Sequence, residues 1–229
     1  MPTLRTIVYG AAPMSRPRLE DALARFGPVF VQIYGQTECP NFITSLGKED
    51  HLHSRLLASC GRAVPFVELR TRQTDPETSV GEVEVRSPYL MTEYFRNPDA
   101  TAEALGDGWL KTGDLGHIDD GYLFLVDRAK DMIITGGMNV YSSEVEAVLR
   151  KHASVAEVAV VGLPDDDWGE VVTAVVVPAG PASAEELRLF ARANLSAYKV
   201  PKTVAFRVEL PLTNYGKVDK KRLRLDLGR

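Results

Sequence analysis

Cysteine and histidine are scarce in this sequence, and their spacing is unlike that of a metal site or a disulfide framework. Only two cysteines occur among 229 residues, Cys39 and Cys60, so we expect isolated thiols that are buried or partly buried. The chain has four histidines. The pair His51-x-His53 has no third candidate ligand beside it, so we expect a surface loop rather than a metal site.

Long apolar runs and an excess of positive charge are also absent. No stretch approaches the roughly 20 apolar residues that span a bilayer, so we expect no membrane span. The first residues, MPTLRTIVYG, lack the basic and apolar regions of a signal peptide, which favours a cytoplasmic protein. The net charge of −4 does not indicate nucleic-acid binding, and we expect the basic C-terminal run KKRLR to be a solvated helix face.

The composition, with 45% hydrophobic and 25% charged residues, is that of an ordinary globular protein, and the pattern divides it into three sections. Residues 1–55 read as strand, helix and strand, which indicates one unit of a largely parallel α/β sheet. Residues 56–127 alternate apolar and polar side chains in short runs, which indicates an antiparallel β-rich subdomain. The remainder reads as a compact α+β domain, with capping boxes predicted at Ser143 and Ser183.

Polar residues cluster in the run YGQTE, from Tyr34 to Glu38, after the second strand of the first section. This strand is expected to break at Gly35, and ligand-contacting loops usually follow the strands of α/β sheets. Thr37 offers a hydroxyl to a phosphate, Glu38 offers a hard oxygen ligand to Mg²⁺, and Tyr34 can stack on a base. An ordinary polar loop has the same composition, so this run alone does not decide the function.

A second set of polar and glycine-rich turns lies between residues 111 and 146. Asp114 is expected in a tight Thr-Gly-Asp turn, where its carboxylate can accept hydrogen bonds from a sugar diol. Arg128 can donate a fork of hydrogen bonds to a sugar or a phosphate. The charged run DRAKD around it predicts an exposed connector, and the Gly-Gly pair that follows lets the backbone approach a ligand closely.

These motifs occur in a fixed order: YGAAP, YGQTE, DGWLKTGD, DRAKD, GGMNVYSSEVE and a Gly-Lys pair at 216–217. The succession closely resembles the adenylate-forming superfamily of acyl-CoA synthetases, luciferases and peptide-synthetase adenylation domains. It is most similar to AMP-forming acyl-CoA synthetases of medium-chain, long-chain and aryl acids. The resemblance implies an enzyme that uses ATP, Mg²⁺ and CoA. Such an enzyme joins a carboxylic acid to AMP, releases pyrophosphate and passes the acyl group to CoA.

The resemblance also implies roles for individual residues. Those that would contact the nucleotide are Ala11, Ala12, Gln32, Tyr34, Thr37, Asp114 and Arg128. Within this set, Thr37 would contact the α-phosphate, and Asp114 would bind the ribose hydroxyls with help from Arg128. Glu38 would help to hold Mg²⁺. Thr37 and Glu38 would act in catalysis together with Lys217.

The resemblance further implies a two-step reaction with a mobile C-terminal domain. Lys130 occupies the hinge position of the superfamily. One orientation of the domain would present Lys217 to the α-phosphate and the acyl oxygens. The other orientation would present Gly136 and Gly137 to the CoA pantetheine.

One part of the superfamily pattern is missing from this sequence. The glycine- and Ser/Thr-rich phosphate loop of the form TSGTTGxPKG does not occur, nor does anything that precedes the YGAAP strand. We therefore expect residues 1–127 to be the C-terminal part of a large AMP-binding domain, with the α/β unit at 1–55 and the β-rich subdomain at 56–127. A hinge at 128–131 and a small α+β domain at 132–229 follow.

Three functions stay open at this point. The chain can belong to an acid–CoA ligase whose upstream part lies elsewhere, or to an adenylation enzyme that loads a carrier protein. It can also be a truncated, non-catalytic module that binds nucleotide, CoA or another protein. The expected partners are a fatty or aryl acid, ATP and CoA, together with the missing N-terminal part of a synthetase or a second copy of this chain.

Overall fold

A computed structural model of the chain describes residues 3–12, 14–73 and 79–228. The chain divides into two units, unit 1 (Met1–Val126) and unit 2 (Asp127–Arg229). The predicted YGAAP turn includes Pro13, which lies outside the described residues.

The first sheet of unit 1 combines parallel and antiparallel pairs. Its strands, in spatial order, are β1 (Ile7–Gly10), β2 (Phe30–Gln36), β3 (Cys39–Leu46) and β4 (Arg62–Ala63). As predicted, a helix, α1 (Arg16–Phe26), connects β1 to the parallel strand β2. Leu19 is buried and packs with Leu23 and Phe30 in one hydrophobic cluster, which fixes the helix on the sheet. The remaining pairs are antiparallel, so this sheet is less parallel than predicted.

The prediction that the second strand breaks at Gly35 is wrong. β2 continues through Gly35 to Gln36, and Thr37 and Glu38 form a two-residue turn into β3. The strand register shifts between Tyr34 and Gln36, which places a β-bulge at the glycine. A glycine within a strand often marks a bulge, and the sequence pattern alone does not separate a bulge from a strand end.

The second sheet of unit 1 has the antiparallel pairing that the alternating pattern predicts. Its strands are β5 (Glu68–Gln73), β6 (Gly81–Arg86), β7 (Leu105–Gly106), β8 (Trp109–Asp119) and β9 (Tyr122–Arg128). Helix α2 (Pro98–Ala104) begins where predicted, because the Asn97 side chain accepts a capping hydrogen bond from the Ala100 backbone N–H.

Unit 2 is an α+β domain built on one mixed sheet. The strands are β10 (Ile133–Thr135), β11 (Met138–Val140), β12 (Val155–Asp165), β13 (Gly169–Pro178) and β14 (Thr203–Phe206). The helices are α3 (Ser142–Leu149), α4 (Ala184–Asn194) and α5 (Lys220–Leu227).

Both faces of the central hairpin of unit 2, β12 and β13, are covered by helices. Val158 and Val160 point to a hydrophobic cluster that contains Leu149 of α3 and residues of α4. Their neighbours along β12 point to the opposite cluster, which contains Leu223 of α5. Because both faces are buried, β12 reads as a nearly continuous apolar run instead of alternating.

The two predicted capping boxes of unit 2 have different outcomes. At α4 the serine cap is confirmed, since the Ser183 hydroxyl accepts from the Glu186 backbone N–H at 3.1 Å. At α3 it is wrong, because the helix begins at Ser142 and its N-cap is Tyr141, so Ser143 lies within the helix. The carboxylate of Asp127 takes the capping role there, accepting from the Ser142 hydroxyl at 2.8 Å and from the Ser143 N–H at 3.2 Å.

The expected surface loop is wrong for His51, which is buried. Its Nε2 lies 2.9 Å from the Tyr9 hydroxyl and its Nδ1 lies 2.6 Å from the Gly47 carbonyl oxygen, so this imidazole is a hydrogen-bonded core residue. The expectation for the thiols is confirmed, since Cys39 and Cys60 are both buried and unpaired. Within the described residues, no cluster of three or more metal-ligand side chains occurs and no helix is long and apolar enough to cross a membrane.

Candidate active site

Asp114 lies inside β8, not in the predicted tight turn. The register of β8 against β6 shifts here, and Gly113 has a φ of +70°, so this stretch forms an irregular step within the strand. The Thr112 hydroxyl donates to the Val83 carbonyl oxygen at 2.8 Å and accepts from the Asp114 N–H at 3.1 Å. Threonine thus replaces lost contacts between the strands, while glycine supplies the left-handed conformation.

Asp114 is held by Tyr34, which is 80 residues away in the sequence. The Tyr34 hydroxyl donates to Asp114 Oδ2 at 2.7 Å, and only 7% of Asp114 is exposed. Burial, and then the charge of Asp114, raises the pKa of Tyr34 well above its usual range, so the phenol stays a donor. The structure thus brings two predicted nucleotide-binding residues into contact.

A buried thiol adjoins this pair. Gln32, another predicted nucleotide contact, places its side-chain nitrogen 3.8 Å from Cys60 Sγ. Burial, together with the charge of Asp114, raises the pKa of Cys60 from about 9 to about 11. The thiol is therefore neutral at physiological pH and acts as a small packing residue rather than a nucleophile.

Glu38, the predicted Mg²⁺ ligand, is half-buried in the turn after β2. The Tyr94 hydroxyl donates to Glu38 Oε1 at 2.8 Å, and the Met91 N–H donates to the Glu38 carbonyl oxygen at 2.7 Å. Burial, followed by the hydrogen bond to Glu38, raises the pKa of Tyr94 above its usual range. The neighbouring Thr37, the predicted phosphate contact, is exposed.

Unit 1 contains an open cleft of about 750 Å³. Tyr94, Thr112 and Gly113 line it, together with the charged side chains of Glu82 and Lys111. The cleft is therefore lined by Tyr94, which donates to Glu38, and by Thr112 and Gly113 of the irregular stretch of β8 next to Asp114.

The small-residue turn after β1 is strained at Ala11. This residue has a φ of +63°, a left-handed conformation that costs an L-residue about 1–2 kcal/mol. A Cβ on the preceding Gly10 would lie 2.3 Å from the Ile33 carbonyl oxygen, so only glycine fits there. Ala11 and Ala12 are exposed, as residues that face a ligand would be. Strain of this kind concentrates at ligand sites, and the sequence pattern does not reveal it.

The predicted hinge is partly anchored within unit 2. Ala129–Asp131 form a 3₁₀ helix, and Arg224 donates to the Lys130 carbonyl oxygen at 3.2 Å and to Asp131 Oδ1 at 2.9 Å. The side chains of Arg128 and Lys130 are exposed, as expected for a connector. Asp131 is 9% exposed, so the expectation of an exposed connector is wrong at this residue.

The predicted CoA-contacting glycines form the turn of the β10–β11 hairpin. Gly136 and Gly137 have φ values of +57° and +78°. A Cβ on Gly136 would lie 2.8 Å from the Trp168 ring, and the Gly136 N–H donates to the Trp168 carbonyl oxygen. Lys202 places its ammonium 3.5 Å from the centroid of the same ring. Both the conformation and the close approach require glycine at 136.

Lys217 ends a short loop that is closed by backbone hydrogen bonds. The Thr213 N–H donates to the Lys217 carbonyl oxygen at 2.7 Å, and Leu212 and Val218 pair as a β-bridge at the base of the loop. The Lys217 side chain is exposed, and no partner for its ammonium occurs among the described residues. Hydrogen bonds thus fix the backbone of this loop, while the ammonium of Lys217 remains exposed to solvent.

The helix that follows this loop begins with a side-chain network. Lys220 Nζ lies 2.7 Å from Glu146 Oε1 and 2.7 Å from the Ser142 hydroxyl, which in turn donates to Asp127 at 2.8 Å. The Val160 N–H also donates to Glu146 Oε1 at 2.9 Å. The expected solvated face is therefore wrong for Lys220, whose side chain is only 16% exposed.

Two family descriptions match the chain. Residues 1–95 match the family described as AMP-binding enzyme, and residues 144–217 match the AMP-binding enzyme C-terminal domain. The chain belongs to the AMP-binding enzyme family. The resemblance inferred from the ordered motifs is confirmed.

Curated relatives in this family include ligases of fatty acids. A medium/long-chain-fatty-acid–CoA ligase, FadD8 of Mycobacterium tuberculosis, is 45% identical over 97% of this chain and 41% of the relative. A fatty acid–[acyl-carrier-protein] ligase, ScoC of Streptomyces coeruleorubidus, is 41% identical over 97% of this chain and 44% of the relative. The chain thus spans less than half of the length of these curated relatives.

Solved structures of the family confirm the predicted fold class. The o-succinylbenzoate CoA synthetase of Bacillus subtilis, in complex with its acyl-adenylate intermediate, is 36% identical and superposes with a TM-score of 0.86. The match covers 96% of this chain and 46% of that one. This chain therefore shares its α/β and β-rich part and its α+β domain with an adenylate-forming enzyme.

Sequence spacing does not reveal several neighbours of the predicted site in this AMP-binding chain. Tyr94 lies in the run EYFRNP, whose one readable signal is the helix start at Asn97-Pro98. Cys60 and Lys220 are distant in sequence from the groups that they contact, so no periodicity links them. Thr112 belongs to the DGWLKTGD motif, but the contact of its hydroxyl with Val83 depends on the pairing of β6 with β8.

Proposed function

We propose that this chain is the C-terminal portion of an AMP-forming acid–CoA ligase, which activates a fatty or aryl acid with ATP and Mg²⁺ in the cytoplasm. The observation that supports the proposal is the buried hydrogen bond between Tyr34 and Asp114, two residues that would both contact the nucleotide. Both residues belong to motifs that stand in the order of the superfamily.

In the proposed first step, a carboxylate oxygen of the acid attacks the α-phosphorus of ATP. A new phosphorus–oxygen bond forms while the bond to the pyrophosphate oxygen breaks, and pyrophosphate leaves. Two anions approach each other, so cationic groups at the α-phosphate lower the barrier most. Lys217 is the proposed cation of this chain, because its ammonium is exposed at the end of a closed loop. A lysine suits the task as a compact charge on an adjustable stem.

The nucleotide would be held chiefly by unit 1. Asp114 would accept from the ribose hydroxyls with help from Arg128, and Thr37 would donate to the α-phosphate. The adenine wall would consist of Ala11, Ala12, Gln32 and Tyr34.

The chemistry of Glu38 fits the Mg²⁺ that this reaction requires. Mg²⁺ in nucleotide sites is usually held by one or two carboxylates together with phosphate oxygens and water. One oxygen of Glu38 accepts from Tyr94, and in the described part of the chain the other has no hydrogen-bond partner. When bound, the metal supplies positive charge to the phosphates. Glu38 would be its ligand from this chain.

In the proposed second step, the CoA thiol attacks the acyl carbonyl carbon and AMP leaves. Residues 1–127 would form the end of the large domain, 128–131 the hinge, and 132–229 the mobile domain. Gly136 and Gly137 would lie along the pantetheine, which needs a backbone without side chains.

Replacement of Lys130 by proline tests the hinge. Proline fixes φ and removes the N–H, so we expect adenylation to be retained and thioester formation to fall, with Lys130→Ala as control. The two half-reactions are measured separately in the reconstituted enzyme, by pyrophosphate exchange and by thioester yield. Equal loss of both would contradict the hinge assignment.

Pyrophosphate exchange tests the proposed function as a whole. This chain is assayed alone and mixed with the N-terminal portion of a related fatty-acid–CoA ligase, with fatty and aryl acids as substrates. Exchange in the mixture beyond that of either part alone supports the ligase. No exchange in any sample, together with retained AMP or CoA binding by this chain, would instead indicate a non-catalytic binding module.

The similarity to a carrier-protein ligase favours one second candidate function. A relative that is 41% identical is described as loading an acyl carrier protein, so the acyl acceptor differs among close relatives of this chain. Thioester formation is therefore compared with CoA and with a phosphopantetheinylated carrier protein. Faster transfer to the carrier protein would replace CoA as the proposed acceptor.

The proposed partners include another protein chain. The N-terminal part of a synthetase is the expected one, with self-association as the alternative. Sedimentation of this chain with and without the N-terminal portion distinguishes a mixed complex from a homo-oligomer.

A further inference from the structure

We propose that Tyr94 is a positioning residue that holds the Glu38 carboxylate in the orientation needed to bind a divalent cation. The inference rests on the proposed function, in which Glu38 is the ligand from this chain to Mg²⁺. It adds a residue from outside the ordered motifs to that site.

The segment around Tyr94 makes two hydrogen bonds to Glu38. The Tyr94 hydroxyl donates to Oε1 at 2.8 Å, and the Met91 N–H donates to the Glu38 carbonyl oxygen at 2.7 Å. The first contact fixes the carboxylate and the second fixes the backbone that carries it. Together they hold a glutamate that lies in a two-residue turn, where the backbone alone leaves its side chain free to rotate.

Tyr94 is itself fixed by the start of α2. Its N–H donates to the Thr101 hydroxyl at 3.0 Å, and its carbonyl oxygen accepts from the Asn97 N–H at 3.1 Å. Asn97 also caps the helix through Ala100. The phenol therefore projects from a hydrogen-bonded helix start rather than from a loose loop.

The two carboxylate oxygens of Glu38 differ in their hydrogen bonds. Oε1 accepts the phenol proton, while among the described residues Oε2 accepts from no group. Hydrogen bonds from outer groups orient metal ligands, and their loss typically lowers metal affinity about 10- to 100-fold. Tyr94 itself lines the open cleft of unit 1.

Replacement of Tyr94 by phenylalanine removes the hydroxyl and keeps the ring. In the reconstituted exchange assay, we expect the Mg²⁺ concentration for half-maximal rate to rise about tenfold. The maximal rate at saturating Mg²⁺ should stay within about twofold, since a positioning residue acts through affinity for the cation. Tyr89→Phe is the matched control, because Tyr89 is 40% exposed and its hydroxyl contacts no described residue. An unchanged Mg²⁺ dependence in Tyr94→Phe would overturn the proposal.

A second measurement needs no turnover, so it separates this inference from the proposed function. Tyrosine labelled with ¹³C at Cζ is followed by NMR in this chain while Mg²⁺ and ATP are added together, with ATP and EDTA as the blank. We expect the Tyr94 resonance to shift, the Tyr89 resonance to stay, and the shift to disappear in Glu38→Gln. A Tyr94 resonance that does not respond, or that responds equally in Glu38→Gln, would overturn the proposal even where exchange is observed. A shift without exchange would refute the ligase alone.

Discussion

Replacement of Lys220 by methionine tests the network that ties α5 to the start of unit 2. The ammonium of Lys220 contacts Glu146 Oε1 and the Ser142 hydroxyl, each at 2.7 Å, and methionine keeps the apolar stem while removing these contacts. The side chains of Lys220 and Glu146 are 16% and 15% exposed. The pair is therefore largely shielded from solvent, and its loss leaves a carboxylate in a poorly solvated place.

The expected magnitude follows from these contacts. Breaking a buried pair costs about 3–5 kcal/mol, and a hydrogen bond to a charged group contributes about 1.5–3 kcal/mol. Glu146 keeps the N–H of Val160 as a donor, and both side chains retain some solvent. We therefore expect Lys220→Met to lower the free energy of unfolding of unit 2 by about 2–3 kcal/mol.

Urea denaturation followed by Trp168 fluorescence measures this loss. The assay uses the full chain carrying Trp109→Phe, so that the emission reports on unit 2. Lys221→Met is the matched control: Lys221 is the next residue of α5 and is exposed, so its replacement should change stability by less than about 0.5 kcal/mol. In a double-mutant cycle with Glu146→Gln, we expect a coupling of about 1–2 kcal/mol. Equal effects of the two lysine replacements would refute the network as a source of stability.

Two further predictions concern close packing and a buried thiol. Gly136→Ala should destabilise unit 2 by about 1–3 kcal/mol, because the new Cβ would lie 2.8 Å from the Trp168 ring at a φ of +57°, and an unchanged urea midpoint would contradict this. Cys60 should resist alkylation by iodoacetamide at pH 8. Since folding raises its pKa from about 9 to about 11, the folded state binds the proton more tightly, and stability present below pH 9 should be lost as the pH rises to 11. Cys60→Ala should remove that part of the pH dependence, and an identical profile in this variant would contradict it.

Local signals in the sequence were sufficient for most elements of the fold. The helix α1 ends at its predicted stop, since Gly27 has a φ of +75° and its N–H closes the last turn onto the Leu23 carbonyl oxygen. Asn97 and Pro98 define the start of α2, and the alternation in β5 and β6 indicates the antiparallel pair that the structure contains. Each of these features depends on residues that are close together in the chain.

Two of the errors arose where a group distant in the sequence replaced a local one. Ser143 and Glu146 have the spacing of a capping box, but Glu146 binds Lys220 and Val160 instead, and Asp127 caps the helix. His51 has the sequence context of a polar loop, yet the Tyr9 hydroxyl and a backbone carbonyl satisfy its ring in the core. Tertiary contacts of this kind override local propensity, and one sequence does not contain the pairing that creates them.

In the candidate site, too, local sequence signals identify residues but not their tertiary contacts. The ordered motifs identify Tyr34, Glu38 and Asp114 as chemically relevant residues, whereas the partners that orient them come from other strands. Neither the hydrogen bond from Tyr34 to Asp114 nor the one from Tyr94 to Glu38 follows from spacing, because 80 and 56 residues separate the partners. Ligand roles of these residues therefore stay predictions, while their contacts within unit 1 are structural findings.

In the proposed ligase, this chain would supply the cationic lysine of the adenylation step. The most direct measurement is pyrophosphate exchange by this chain mixed with the N-terminal portion of a related ligase, comparing Lys217→Ala with Lys221→Ala. We expect Lys217→Ala to lower the exchange rate about 10²- to 10³-fold, by analogy with the loss of one preorganised electrostatic contact, while Lys221→Ala keeps it. Equal rates for the two variants in an active mixture would refute the assignment of Lys217.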